Sequence, residues 1–178
     1  MRTATVFRDF VSQVIMSKIG FLLIIMVGIA LTGCRTSEST LSIQNVRNYD
    51  PKAANHILFL DFKITKRNGK TEAVELVNAV SGSGTLKNRT APVHSPYQIN
   101  VIPRYSVGHM EVPLIFEHPL YKSVELASED GKLSKQDLNS KEGILSVRIQ
   151  KDNGLEKIEL HSITPEKGDN KIYTLNLQ

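Results

Sequence analysis

The chain predicts an all-β fold, an antiparallel β-sandwich of about eight strands, and three observations carry that reading. Apolar residues recur at every second position in one segment after another, the period of a strand with one buried face. Turn-forming pairs separate those segments at the 8–12-residue spacing expected of a sandwich or barrel. Helix-like character is confined to Ser134–Ser140, which is short and polar.

Taken in order, Leu41–Val46 makes a first strand. The clearest alternation follows: Leu58, Leu60, Phe62 and Ile64, with Asp61, Lys63 and Thr65 between them. Asn68-Gly69 then gives a type I′ hairpin signal, because both central residues of that turn need positive φ, and Val74, Leu76 and Val80 belong to the return strand. Ile99 and Val101 alternate with Asn100 and Ile102, and Met110, Val112, Leu114 and Phe116 form another one-sided stripe. Val124 and Leu126 run into Asp130-Gly131. Leu145, Val147 and Ile149 run into Asn153-Gly154, with Ile158 and Leu160 completing that hairpin. Tyr173, Leu175 and Leu177 close the chain.

The general form is immunoglobulin-like or transthyretin-like, although the immunoglobulin Cys…Trp…Cys signature is absent because the chain has no tryptophan. Pro103 and Pro113 fall within strands and cannot donate to a ladder, which places them on edge strands or at bulges. Gly82, Gly84, Pro92 and Pro96 mark residues 82–96 as the longest loop, where binding on a rigid sandwich is commonly found.

Ahead of the β region, Ile19 to Gly33 is a fifteen-residue run without charge, flanked by Lys18 and Arg35. A bilayer-spanning helix needs roughly 20 apolar residues, so the run is short for a span. A basic start, a short apolar core and small residues at its end read as a signal peptide. The run ends in Leu31-Thr32-Gly33-Cys34, which contains the single cysteine of the chain. These four residues resemble the lipobox of bacterial lipoproteins. The resemblance implies recognition of Leu31, Thr32 and Gly33 by signal peptidase II, cleavage before Cys34, a diacylglycerol on its sulfur and acylation of its new amino group. Residues 1–33 are then a signal peptide, residues 34–40 an acylated cysteine with a short polar tether, and residues 41–178 one β-sandwich domain. Met16-Ser17-Lys18 gives the usual signal-peptide proportion, whereas residues 1–15 make a long start containing Asp9, so Met16 is the expected initiator.

Each buried methylene contributes about 0.8 kcal/mol and two or more chains anchor stably, so Cys34 is expected to be a lasting membrane tether. In the lipoprotein class an aspartate after the cysteine often retains the protein at the inner membrane; Arg35 in that place favours the outer membrane. Arg35–Thr40 as a flexible linker reaches on the order of 12–15 Å. The alternative is that part of it pairs as an edge strand, which holds the domain closer.

Composition narrows the function classes. The chain has 22 Lys+Arg and 18 Asp+Glu; Arg2, Arg8, Lys18 and Asp9 lie in residues 1–33, leaving a net charge of +2 beyond them. There is no basic stripe and no interleaving of aromatics with cations, which argues against nucleic acid. Gly69-Lys70-Thr71 lacks the earlier glycine of a phosphate-binding loop, since Ile64 occupies that place, and Ser81-Gly82-Ser83-Gly84 lacks the spacing of a nucleophile elbow. Asn88-Arg89-Thr90 matches a glycosylation acceptor that a bacterial lipoprotein would not use.

Among five histidines, His109 and His118 stand near Glu111 and Glu117. In an extended strand His109, Glu111 and Glu117 share one face and His118 the other, so solvent-facing polar residues explain the grouping better than a metal site. No catalytic, cofactor or metal residue is assigned. The expected function is a non-catalytic interaction or structural module binding an envelope protein through an edge strand or loop. Small lipoproteins of type VI secretion machines are similar in size, anchor and β content, which makes a subunit of an envelope-spanning assembly one version. The alternative is a glycan- or small-molecule-binding lipoprotein or a hydrolase.

Metabolic labelling tests the anchor. With signal peptidase II active, palmitate label is expected on the wild type and lost in Cys34→Ala. With processing blocked, the precursor is expected to begin at Met16, and a precursor beginning at Met1 refutes that start.

Overall fold

The computed structural model describes residues 36–67, 71–87, 93–106, 111–127 and 131–178. These form a β-sandwich whose ten strands are β1 (Ser37–Leu41), β2 (His56–Arg67), β3 (Thr71–Ser83), β4 (Gln98–Tyr105), β5 (Leu114–Glu117), β6 (Tyr121–Ala127), β7 (Leu133–Asn139), β8 (Glu142–Lys151), β9 (Leu155–Thr164) and β10 (Gly168–Leu177). One sheet has the order β1-β10-β9-β4-β5 and the other β3-β2-β8, while β6 and β7 pair only with each other.

The alternation read in β2 is the organising feature. Leu58, Leu60, Phe62 and Ile64 are all fully buried, and Leu145, Val147 and Ile149 of β8 extend the same inner face. Ile99 and Val101 of β4, Ile158 and Leu160 of β9, and Tyr173 and Leu175 of β10 supply the opposing face of one continuous core. Phe62 and Tyr173 meet edge to face across the sheets, with ring centroids 5.7 Å apart. Burial at about 25 cal/mol per Å² of apolar surface, with no disulfide, holds the two sheets together.

Several expectations are corrected. The described residues hold ten strands rather than about eight. The first strand is Ser37–Leu41, not Leu41–Val46, and Ile43–Asn45 is a 3-10 turn. Ser37–Thr40, read as tether, therefore lies in the sandwich as an edge strand. It pairs with β10 in parallel, the exception to the antiparallel expectation. Amides then lock the chain end, Ile43 N–H to Gln178 O at 2.8 Å and Gln178 N–H to Leu41 O at 3.0 Å.

Asn153-Gly154 does not close a β8–β9 hairpin. β8 pairs with β2, whereas β9 pairs with β10 and β4, so this turn carries the chain from one sheet to the other. Gly154 has φ +88° and its carbonyl accepts the Ser106 amide at 2.9 Å, fixing the corner. A turn-forming pair specifies reversal, but not whether the reversed strand joins the same sheet.

Ser134–Ser140 is not helical; Leu133–Asn139 is a strand because it pairs residue for residue with β6. The Met110–Phe116 stripe shortens to Leu114–Glu117. Pro113 immediately precedes the strand, Val112 is 58% exposed, and Met110 lies outside the described residues. Pro103 sits in the interior strand β4, past the end of β5, where that side of the ladder is unpaired. The expected β2–β3 hairpin is present as a ladder from His56↔Ser83 to Arg67↔Thr71, with Asn68 and Gly69 outside the described residues.

The turn between β5 and β6 is wedged against β8. A Cβ on Gly143 would stand 2.7 Å from the Pro119 carbonyl oxygen, closer than non-bonded atoms approach. Gly143→Ala is therefore expected to cost about 1–3 kcal/mol in urea unfolding, because this well-packed contact must open. An unchanged midpoint would show that the turn yields freely.

Candidate functional site

The β6–β7 hairpin leaves the sandwich at the turn His118-Pro119-Leu120, and the functional geometry gathers at its base. Leu120 is fully buried, and its carbonyl accepts the Ser140 amide at 2.8 Å. The Lys66 amide donates to Lys141 O at 2.9 Å, and the His118 amide to Tyr97 O at 3.1 Å. The two hairpin strands therefore start and end on fixed points.

His118, which the alternation sets on the face opposite His109, Glu111 and Glu117, is fully buried. Its Nδ1 accepts the Leu120 amide at 3.2 Å, which puts the ring proton on Nε2. That nitrogen lies 3.2 Å from Ser162 Oγ and 3.4 Å from Glu72 Oε2, the latter a long and off-line contact. Glu72 has only 5% of its side chain exposed. Burial pushes its carboxyl up, but polar contact with His118, then Ser162 and the charge of Lys167, outweigh burial and hold it below the ordinary range. Ser, His and Glu thus meet, but with Nε2 protonated the imidazole presents no lone pair to take the Ser162 proton. The cluster ties β3, β9 and the hairpin turn together.

Above it opens a cleft of about 710 Å³. Tyr97 and Tyr121 stack within it, centroids 4.6 Å apart, and Tyr121 also leans on the His118 ring at 4.8 Å. Lys66 Nζ sits 5.4 Å from the centre of the Tyr121 ring and donates to Asn139 Oδ1 at 3.3 Å. The Tyr97 hydroxyl donates to Glu166 at 3.0 Å. From the loop marked by the sequence, His94, Ser95 and Pro96 reach the lining, and Gln98 Nε2 pins the Ser95 carbonyl at 2.7 Å.

Compared with protein-family models, curated proteins and solved structures, the chain matches none. The reading of the site therefore rests on its own geometry.

The remaining sequence candidates do not converge. Glu111 pairs with Arg104, Glu117 lines the cleft, His118 is buried, and His109 lies outside the described residues. Among the described residues no His, Cys, Asp and Glu group has the arrangement of a metal site. Leu31, Thr32, Gly33 and Cys34, Lys70 and Asn88-Arg89-Thr90 also lie outside them. Ser81, from the glycine-rich stretch, is buried against His56 Nδ1 at 3.3 Å.

On the outer face of the five-stranded sheet, Glu159 is nearly buried among Arg104 Nε at 2.8 Å and Lys171 Nζ at 3.4 Å. Burial raises its carboxyl, and these cations outweigh that and lower it. Sequence reasoning missed both carboxylates and the cleft. Glu72 and Glu159 occupy alternating strand positions like any surface residue, so no local signal separates them.

The lowered Glu72 carboxyl fixes a sign. It contributes stability above the ordinary carboxylate value of 4.5, and that contribution is lost as pH falls through its lower folded value. Glu72→Gln is expected to lose about 1–3 kcal/mol in urea unfolding at pH 7, with the gap to wild type closing under acid. A gap that persists unchanged at low pH would show that the carboxylate charge contributes nothing.

Proposed function

We propose that this protein is a lipid-anchored bacterial envelope module that binds an extended segment of another envelope protein, using the β6–β7 hairpin as its contact element. The observation that carries this reading is that, among the described residues, β6 and β7 ladder with each other and with no strand of either sheet. Val124, Leu126 and Leu138 share one face of it by register, and Leu126 and Leu138 are exposed. On the other face Leu133 is 70% exposed.

An isolated two-stranded hairpin is marginally stable in water, and exposed strand edges are ready for pairing. Addition of a partner strand satisfies the edge N–H and C=O groups and covers the leucines in one step. The His118 and Gly143 contacts hold the base of the hairpin, which lowers the ordering cost of such docking. With β1 beginning at Ser37, only Arg35 and Thr36 separate it from Cys34, about 10 Å of extended chain. Acylation at Cys34 thus supports a role at the membrane surface, the outer membrane being favoured by Arg35. A subunit of an envelope-spanning assembly fits that position.

In-cell crosslinking from a photoreactive residue at position 126, with capture and peptide mapping, tests the reading. One envelope protein, crosslinked through an extended segment, is expected; its yield falls in Cys34→Ala and is lost when Leu138→Asp is added. Crosslinks to lipid alone, or a captured set indifferent to Leu138→Asp, refute it.

A further inference from the structure

We infer that the cleft at the base of the hairpin binds a neutral, hydroxyl-rich ligand, a short uncharged saccharide. This goes beyond the partner reading and does not rest on strand pairing by the hairpin. The volume of about 710 Å³ lies within the range of small-molecule sites.

Charge decides the ligand class by cancelling. Lys66, Lys122 and Lys167 line the cleft, and carboxylates match them, Glu117 and Glu166 in the lining and Glu72 buried below. Most of these charges are already engaged. Lys66 is held by Asn139 and Tyr121, the charge of Lys167 acts on Glu72 and Glu166, and Glu166 accepts the Tyr97 hydroxyl. Lys122 and Glu117, one cation and one anion, are left to meet a ligand, and both are exposed. Ion pairing contributes little at exposed positions, so a charged ligand has no advantage there. An apolar ligand would strip water from both groups without replacing it. A hydroxyl group both donates and accepts, which suits what remains. Ser95 Oγ accepts the Tyr97 amide at 3.3 Å and keeps its own proton to give. Asn139 Oδ1 accepts Lys66, which leaves the amide N–H groups as donors, while Glu117 accepts and Lys122 donates. Pro96, Leu138 and the stacked Tyr97 and Tyr121 supply an apolar side for the C–H face of a sugar ring.

The site is formed before any ligand arrives. Tyr121 is held by Tyr97 and the buried His118, and the His118 amide donates to Tyr97 O. Gln98 Nε2 donates to the Ser95 carbonyl at 2.7 Å, fixing the approach to β4 that carries Ser95 and Pro96. Groups already ordered lose little freedom on binding.

The experiment is calorimetric titration of the full chain, solubilised in a detergent without a sugar head group. The probes are maltose, diacetylchitobiose, glucose, glucuronate, glucosamine and alanine. At least one neutral disaccharide is expected to bind with about millimolar affinity or tighter. Glucuronate, glucosamine and alanine are expected to bind no more than about threefold tighter than glucose. Raising salt from about 0.05 to 0.5 M is expected to leave disaccharide binding within about twofold, because no ion pair with the ligand is formed. Tyr97→Ala is expected to weaken binding about tenfold or more, whereas Lys52→Gln, outside the cleft, leaves it unchanged. Thermal unfolding of each variant confirms that it is folded; should Tyr97→Ala fail to fold, the exposed Glu117→Ala serves, with a loss of about fivefold expected. The tetrasaccharide of the bound series distinguishes sources, since undiminished binding points to a polysaccharide end and lost binding to a free sugar, both within the proposed class. No binding of either disaccharide at about 20 mM, a charged probe favoured more than about threefold over glucose, or indifference to the Tyr97 and Glu117 changes overturns the inference. Leu138 also lines the cleft, so Leu126→Asp is the hairpin variant to use alongside; it leaves this binding intact, and the two readings fail separately.

Discussion

The edge-to-face contact of Phe62 with Tyr173 joins the two sheets at the middle of the core. Phe62 belongs to the central strand of the three-stranded sheet and Tyr173 to β10 of the five-stranded one, so neither sheet buries its inner face without the other. Tyr173 also reaches outward: its hydroxyl hydrogen-bonds Ser39 of β1, and that strand is the link to the N-terminal segment. With no disulfide possible in a chain of one cysteine, this apolar layer and the ladders on either side of it are what hold the domain.

The core changes character toward the end where the hairpin leaves. Midway along β9, Ile158 and Leu160 are apolar inward residues, but the same row continues through Ser162 and Thr164. His118 and Glu72 meet Ser162 there, replacing hydrophobic packing by polar contacts that must each be satisfied. That requirement makes the turn at His118-Pro119-Leu120 rigid. A rigid turn in turn positions Tyr121, and with it both the floor of the cleft and the start of the exposed hairpin. One polar core end thus supports two surface features.

How much was legible differs from element to element. Leu58 to Ile64 in β2 could be read directly, because strict alternation has one physical cause, a strand with one buried face. Leu133–Asn139 could not, because Lys135, Gln136 and Asp137 carry no strand preference and the segment becomes a strand only by pairing with β6. Asn153-Gly154 announced a turn correctly yet left open which sheet the next strand joins. His118 shows the limit most sharply: alternation sets it on the face opposite Glu117, but only the fold brings Leu120 and Ser162 to its two ring nitrogens. The loop expected at residues 82–96 was marked by its glycines and prolines; Gly82 and Ser83 belong to β3 instead, while His94, Ser95 and Pro96 do line the cleft, with companions from β2, β5, β6, β7 and the β9–β10 turn.

The sequence by itself determined the all-β class, the inward rows of the long strands and most of the places where the chain reverses. Those properties depend on neighbours a few residues apart, through side-chain alternation and turn chemistry. Tertiary structure decided the parallel seat of β1, the crossing of the chain between sheets at Gly154, the isolation of β6 and β7, and the burial of Glu72 and His118. Each of these depends on which distant strand supplies the hydrogen-bond partner, and backbone amides are chemically alike along the whole chain. Only the assembled sandwich, in which one pairing excludes the others by packing, selects among them.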